Sequence, residues 1–282
     1  MPNQLQTNFL ISILTVVYNN SKGLERTIQS VSNQTYSNIE YVIIDGASTD
    51  GTLNIIERYK LFIDYYLSEE DEGIYDAMNK GVNYCNGDFV IFLNAGDCFY
   101  SSNSLDEAIT KMNDPNLIYF GRAKIEKDKI NWLYPPTIID TQEKAKKWAI
   151  KYLPNHQTIL FPKCFYKFNK FNTTFKLFGD TDYKIRCLKY NDVYFLDIVL
   201  STFELGGVSS RSNNWSTVVT QFRESFLIGK LHYKNKPIYK LILYIKTVRF
   251  IIKFIARKLL GSNYYYVYLK IFNKLRAKLP TF

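Results

Sequence analysis

The sequence predicts an α/β fold, with a mostly parallel sheet flanked by helices over residues 1–210 and a helical, basic extension over 211–282. Three observations carry this expectation. Apolar, β-branched runs alternate with helix-periodic segments four times in the first hundred residues, as right-handed parallel crossovers require. The run Phe89-Val90-Ile91-Phe92-Leu93 is apolar throughout, like a strand covered on both faces. Acidic residues end at Glu224, whereas Lys230 to Lys278 hold 13 of the 36 Lys and Arg, leaving 23 against 26 acidic residues in the body.

Phe9 to Val17 reads as a buried strand ending at Tyr18-Asn19-Asn20, with Ser21 capping a helix that carries Leu24, Ile28 and Val31. Tyr41 to Ile44 is a second strand, closed by a polar turn from Asp45 to Thr52, and a helix follows through Leu53, Ile56 and Tyr59. Asp64 to Ser68 is a short third strand, and Gly73 to Asn83 a helix with Ile74, Ala77, Met78 and Val82 on one face. The Phe89 strand then stops in Asn94-Ala95-Gly96-Asp97. Beyond residue 100, Leu105 to Met112 reads as a helix, and Leu117 to Ile125 with Ile130 to Tyr134 as a hairpin. Pro135-Pro136 begins a loop, and Asn155-His156-Gln157-Thr158 leads into the apolar run Ile159 to Phe161. Asp180-Thr181-Asp182 opens a helix, and Val193 to Phe203 holds one or two strands. Trp215 onward reads as helical, broken near Pro237 and Gly261.

Ligands of open parallel sheets sit beyond the carboxyl ends of the strands, so Asn19, Asp45 and Asp97 are expected along one rim. Carboxylates and glycine-rich turns there suit a nucleoside diphosphate whose charge is met by a divalent cation. The plainer role for Asn94 and Asp97 is to shape a turn. There is no Gly-x-x-x-x-Gly-Lys-Ser/Thr loop, which argues against an ordinary ATPase, and no Gly-x-Gly-x-x-Gly after the first strand, which argues against a dinucleotide enzyme. Cys85, Cys98, Cys164 and Cys187 lack paired spacing and read as reduced thiols. Met1 to Asn8 has no signal-peptide pattern.

Four ordered segments resemble the family 2 glycosyltransferases of the GT-A fold over about Ile11 to Ser210. They are Ser12-Ile13-Leu14-Thr15-Val16-Val17-Tyr18-Asn19, Ile44-Asp45-Gly46-Ala47-Ser48-Thr49-Asp50-Gly51-Thr52, Gly73-Ile74-Tyr75-Asp76-Ala77-Met78-Asn79-Lys80-Gly81, and Asn86-Gly87-Asp88 with the strand after it. The resemblance implies that Asp45 hydrogen-bonds the base of a nucleotide and that Asn19 shares that rim; capping the next turn is the alternative for Asp45. Within Glu69 to Gly73, Asp71 is the implied sugar-nucleotide contact, against a merely solvated acidic loop. Asn79 matches a position near the nucleotide, where a solvated helix face is the alternative. Asp97 matches the last acid of the Asp-x-Asp metal motif for Mn2+ or Mg2+, and Asn94 stands where the family commonly has another carboxylate, so it would offer a neutral oxygen or bind ribose. Asp180, six residues before Arg186, matches the base of an inverting transfer, with Asp182 as the fallback and an N-cap as the alternative for either. His156 matches a position on the acceptor side, where a structural histidine is comparable. Arg211 follows Gly206-Gly207 in what resembles a loop over the diphosphate, against an ordinary surface arginine.

Lys246, Arg249, Lys253 and Arg257 fall on one helix face with apolar residues between them. No uncharged run approaches the ~20 residues needed to span a bilayer. Residues 236–278 are therefore expected to lie on an anionic membrane surface, with Tyr264 to Tyr268 at the headgroups. Packing on the body is the alternative, and no nucleic-acid module is present. Together these readings imply a metal-dependent inverting glycosyltransferase, peripheral at the cytoplasmic face of the cell membrane. It would move sugar from a UDP-linked donor to a glycan acceptor, lipid-linked, in surface polysaccharide biosynthesis. The rivals are a soluble or protein acceptor, and a non-catalytic sugar-nucleotide-binding or membrane-docking protein.

Overall fold

The computed structural model describes residues 8–127, 130–136, 139–204, 215–233 and 259. β1 (Ile11–Val17) is buried at every position, its apolar run interrupted only by Ser12 and Thr15. It pairs in parallel with β2 (Ile39–Asp45) on one side and β4 (Phe89–Phe92) on the other, and β3 (Tyr65–Ser68) adds in parallel to β2. The crossovers are α1 (Ser21–Ser32), α2 (Thr52–Arg58) and α3 (Ile74–Val82).

Alternate residues of the central strands feed two cores. Ile11, Ile13, Tyr41, Ile43, Phe89 and Ile91 meet Leu24, Ile28, Ile55 and Ile56 of α1 and α2. Leu14 and Ile44 lie under α3, where Gly81 lets the helix approach closely. Three sequence expectations shift by a position. Asn20, not Ser21, caps α1, its side chain accepting from Gly23 N–H. Ile74 is 39% exposed and Tyr75 is buried in its place; Leu53 is 40% exposed while Thr52, Ile55 and Ile56 point inward. In short helices the first turn is rotated by its cap, so apolar content alone does not fix the buried face.

The parallel arrangement stops at β4. β8 (Ile159–Pro162) pairs with it antiparallel, β6 (Ile118–Lys127) pairs antiparallel with β8, and β9 (Val193–Glu204) runs parallel to β6. β5 (Cys98–Phe99) closes that edge on β9, and β7 (Ile130–Tyr134) forms the expected hairpin with β6. The sheet is thus mixed, with its parallel half at the N-terminal end of the chain. Val193 onward is one strand whose pairing to β6 shifts register where Asp197 takes a positive φ of 50°.

α4 (Ser104–Ile109), α5 (Gln142–Tyr152), α6 (Lys163–Tyr166) and α7 (Gly179–Tyr190) complete this part of the chain. α5 has no counterpart in the sequence reading. Its helical stripe is only Ala145, Trp148 and Ala149, set among lysines and capped by Thr141. The four cysteines are free thiols. The chain divides into two compact units, 1–207 and 208–282. In the second, α8 (Trp215–Tyr233) is helical as expected; the remainder of the basic segment 236–278, apart from Leu259, lies outside the described residues. Among the described residues no helix is long and apolar enough to cross a membrane.

Gly87 shows why glycine stands in Asn86-Gly87-Asp88. A Cβ there would lie 2.6 Å from the backbone nitrogen of Ser12 and 2.7 Å from the carbonyl of Leu10, so β4 could not enter beside β1 without displacement. Gly87→Ala is expected to destabilise the fold by about 1–3 kcal/mol, measured by urea unfolding.

Candidate active site

The rim begins with register. Val17 pairs with Asp45, and Asp45 with Ser68, so β1, β2 and β3 end level and release their loops on one side. Asn19 takes a positive φ of 47°; its Oδ1 accepts from Thr49 N–H at 2.8 Å, and its own N–H donates to Ser48 Oγ at 2.7 Å. It pins the turn after β2. Asp45 is fully buried, and its Oδ2 accepts from Ser68 Oγ at 2.6 Å and Ser48 N–H at 3.1 Å. Its Oδ1 is buried without a hydrogen-bond partner among the described residues. A buried carboxylate oxygen without a donor is costly, and a ligand N–H would satisfy it.

The acidic loop after β3 folds over this turn. Lys80 holds it, reaching Glu69 at 2.8 Å and the Glu70 carbonyl at 2.7 Å. Asp71 accepts from Gly73 N–H at 2.8 Å, and a Cβ on Gly46 would meet its Oδ2 at 2.5 Å. Tyr18, 67% exposed, stands beside the same glycine. Asn79 contacts the backbone of a distant segment. Its amide donates to the Phe171 carbonyl at 2.9 Å and accepts from Phe171 N–H at 2.7 Å. It clips the 171 segment to α3.

The turn Asn94 to Asp97 is held by residues that no sequence motif marks. Gly96 has a φ of 109°, which favours glycine. The Thr27 hydroxyl of α1 accepts from Gly96 N–H at 2.9 Å and donates to the Asp97 carbonyl at 2.8 Å. Asn20 Nδ2 donates to the Ala95 carbonyl at 2.9 Å. Burial pushes the Asp97 carboxyl up to about 6, opposed by His156 and by a hydrogen bond from Gln157. A divalent cation suits such a carboxyl, and a single carboxylate completed by phosphate and water is a common magnesium arrangement. Among the described residues no three His, Cys, Asp or Glu side chains form a cage, so any cation here would lean on its ligand.

α7 brings Asp180 to the same place. Its first residue, Gly179, packs on Tyr75, where a Cβ would lie 2.7 Å from the ring. Beneath it Tyr183 stacks on Phe171 at 3.9 Å and meets Phe92, Phe161 and Phe165 edge-on. His156 bridges the two halves, with Nε2 3.2 Å from Asn94 Nδ2 and Nδ1 3.6 Å from Asp180 Oδ2. Burial would raise the Asp180 carboxyl, but Lys184 at 2.9 Å and His156 outweigh it and hold it well below the usual carboxylate range. Asp182 is different. It is 4% exposed and receives Arg186 Nε at 2.9 Å, a pairing within the helix. Arg211 lies outside the described residues.

Two of the Asn94 to Asp97 turn's hydrogen bonds thus run through one hydroxyl. Thr27→Val keeps the shape but leaves Gly96 N–H unsatisfied, and a loss of roughly 1–3 kcal/mol in urea unfolding is expected.

The sequence pattern of the family described as Glycosyl transferase family 2 matches residues 12–183. A PGL/p-HBAD biosynthesis glycosyltransferase of Mycobacterium bovis is 28% identical over 210 residues, covering 71% of this chain and 79% of its own. An uncharacterized glycosyltransferase of Mycobacterium tuberculosis is 27% identical over 207 residues, covering 71% and 77%. Among solved structures, S. aureus TarS 1–349 in complex with UDP-GlcNAc superposes with a TM-score of 0.59 at 16% identity, over 90% of this chain and 73% of that one. Mannosyltransferase PcManGT from Pyrobaculum calidifontis, in complex with GDP-Man and Mn2+, gives 0.59 at 14% identity, over 96% and 81%. These two likenesses are of fold, and the fold is GT-A. With a family match that spans more than half of its length, the chain belongs to Glycosyl transferase family 2 and is a glycosyltransferase.

Proposed function

We propose that this glycosyltransferase is metal-dependent and inverting, and that it moves a sugar from a UDP-linked donor to a glycan acceptor carried on lipid. The observation that supports the reading most is the single imidazole of His156, which lies between the turn ending in Asp97 and the carboxylate of Asp180. A donor diphosphate at the turn and an acceptor hydroxyl at Asp180 would then face each other across a sugar.

Each residue has a role in that reading. The unpartnered Oδ1 of Asp45 accepts the N3–H of uracil, which also disfavours bases that present only acceptors at that edge. Tyr18 offers its exposed ring as a platform for the base, and Asn19 keeps the turn in place. Asp71 lies at the sugar-nucleotide side. Asp97 would hold Mn2+ or Mg2+, with Asn94 beside it; the ion supplies positive charge that stabilises the departing diphosphate. Asp180 takes the proton of the acceptor hydroxyl as that oxygen bonds to the anomeric carbon. The bond to the nucleoside diphosphate breaks on the opposite face, and the diphosphate leaves with the electron pair. The lipid-linked acceptor and the inner face of the membrane rest on the charge of residues 236–278, where Lys and Arg are unopposed by any acid after Glu224.

Uridine diphosphate release from a panel of nucleotide sugars, with membrane extract as acceptor and with or without Mn2+ or Mg2+, tests the reading. Asp180→Asn is expected to lower kcat by ~10²–10⁴-fold with little change in donor KM. Asp45→Ala is expected to raise donor KM by about tenfold or more, the worth of a hydrogen bond to a charged group. Turnover that survives both Asp180→Asn and chelation would overturn it.

A further inference from the structure

Lys184 is a lysine where solvent barely reaches, 7% exposed on the second turn of α7. A buried ammonium is costly unless it is paired. Its partner is Asp180, four residues earlier, with Nζ 2.9 Å from Oδ2. The same Oδ2 lies 3.6 Å from Nδ1 of His156. Among the described residues the other oxygen, Oδ1, has only a long contact of 3.4 Å from Thr181 Oγ1. The carboxylate is thus gripped at one end and open at the other.

The surrounding charges leave this pairing distinct. Lys184 faces Asp180 from its own helix and His156 faces it from the turn before β8. Arg186 closes on Asp182 at 2.9 Å and donates to the Lys170 carbonyl at 2.7 Å, so it is engaged on the far side of the helix start. Tyr183, between them in sequence, is buried in the aromatic core.

We propose that Lys184 is a positioning residue for the transfer step, fixing Oδ2 of Asp180 so that Oδ1 is the oxygen offered, ionised, to the acceptor hydroxyl. The inference rests on the reading of Asp180 as the base. Without Lys184 the carboxylate would keep its burial and lose its principal cation, and both changes favour the protonated acid. A protonated Asp180 cannot accept the hydroxyl proton. The loss should therefore be selective for acid pH, where an ordinary packing defect would act at every pH.

The test uses the full chain with aspartate carboxyls labelled with carbon-13, the Asp180 resonance being assigned by its absence in Asp180→Asn. In the wild type it should remain ionised through the acid range in which the exposed aspartates titrate. In Lys184→Met it should titrate higher, by about one pH unit or more. The acid limb of kcat for uridine diphosphate release should move with it, donor KM should stay put, and Lys184→Arg should restore both. Should Lys184→Met fail to fold, Lys184→Gln keeps a polar donor, on a shorter side chain and without the charge, and the same shift is expected. An unmoved titration, or a parallel loss at all pH values that Lys184→Arg does not rescue, would overturn the role of Lys184. Full activity of Asp180→Asn would instead overturn the base itself, whatever Lys184 does.

Discussion

Everything at the rim depends on β1 being paired in parallel on both of its edges. A parallel strand must be entered from the same end as its neighbour, so β1, β2 and β4 necessarily deliver their following turns together. Asn19, Asp45 and the turn ending in Asp97 are neighbours for that reason, although up to 78 positions separate them in the chain. The pairing in turn requires an all-apolar strand, because β1 is covered on both faces and flanked on both edges. Its two buried hydroxyl residues do not break this rule. Thr15 donates to the Leu93 carbonyl at 2.7 Å, and Ser12 to Glu40 at 2.5 Å, so each meets its need across the pairing it might have disturbed.

The second half of the site is reached by a change of direction. β8 runs against β4, which starts the chain back at the rim, and His156 is met on the way in, directly before the strand. Asp180 arrives later, from α7, which is seated by an aromatic layer rather than by sheet pairing. Phe171, clipped at its backbone by Asn79, stacks between Tyr75 and Tyr183. The asparagine thus sits two contacts away from Asp180 and acts through the layer that fixes its helix.

This explains what the sequence could and could not say. Strand ends are legible because burial on both faces leaves an unmistakable apolar run, and the polar residues just past it are then placed by topology. The places of Asp45 and Asp97 on the rim were readable in that way, whereas Asp180 was singled out only by what the family resemblance implies. Thr27 was not, because its hydroxyl meets Gly96 across 69 positions and a threonine inside an apolar helix has no distinctive neighbour in the chain. Asn79 had the right residue type in the right motif, but the partner that occupies it is 92 positions away. Lys184 looked like one more charged residue on a helix in a lysine-rich chain; only its burial sets it apart. α5 was missed for a related reason, since three apolar positions among lysines fall below what a periodicity argument can resolve.

The two carboxylates at the centre of the site are driven in opposite directions by one protein. Asp97 is raised by burial, against which His156 and hydrogen bonds from Gln157 and the Asn94 backbone weigh less. Asp180, although burial acts on it too, has a lysine within hydrogen-bond distance and is held ionised. Such a separation assigns different work to chemically identical groups. A carboxyl that holds its proton weakly near neutrality exchanges it readily for a metal cation, because metal binding and deprotonation are linked. A carboxylate that never takes a proton from bulk water in the working range is available whenever an acceptor hydroxyl reaches it. The chain achieves the difference chiefly with Lys184, placed one helical turn beyond Asp180, and His156 adds to it.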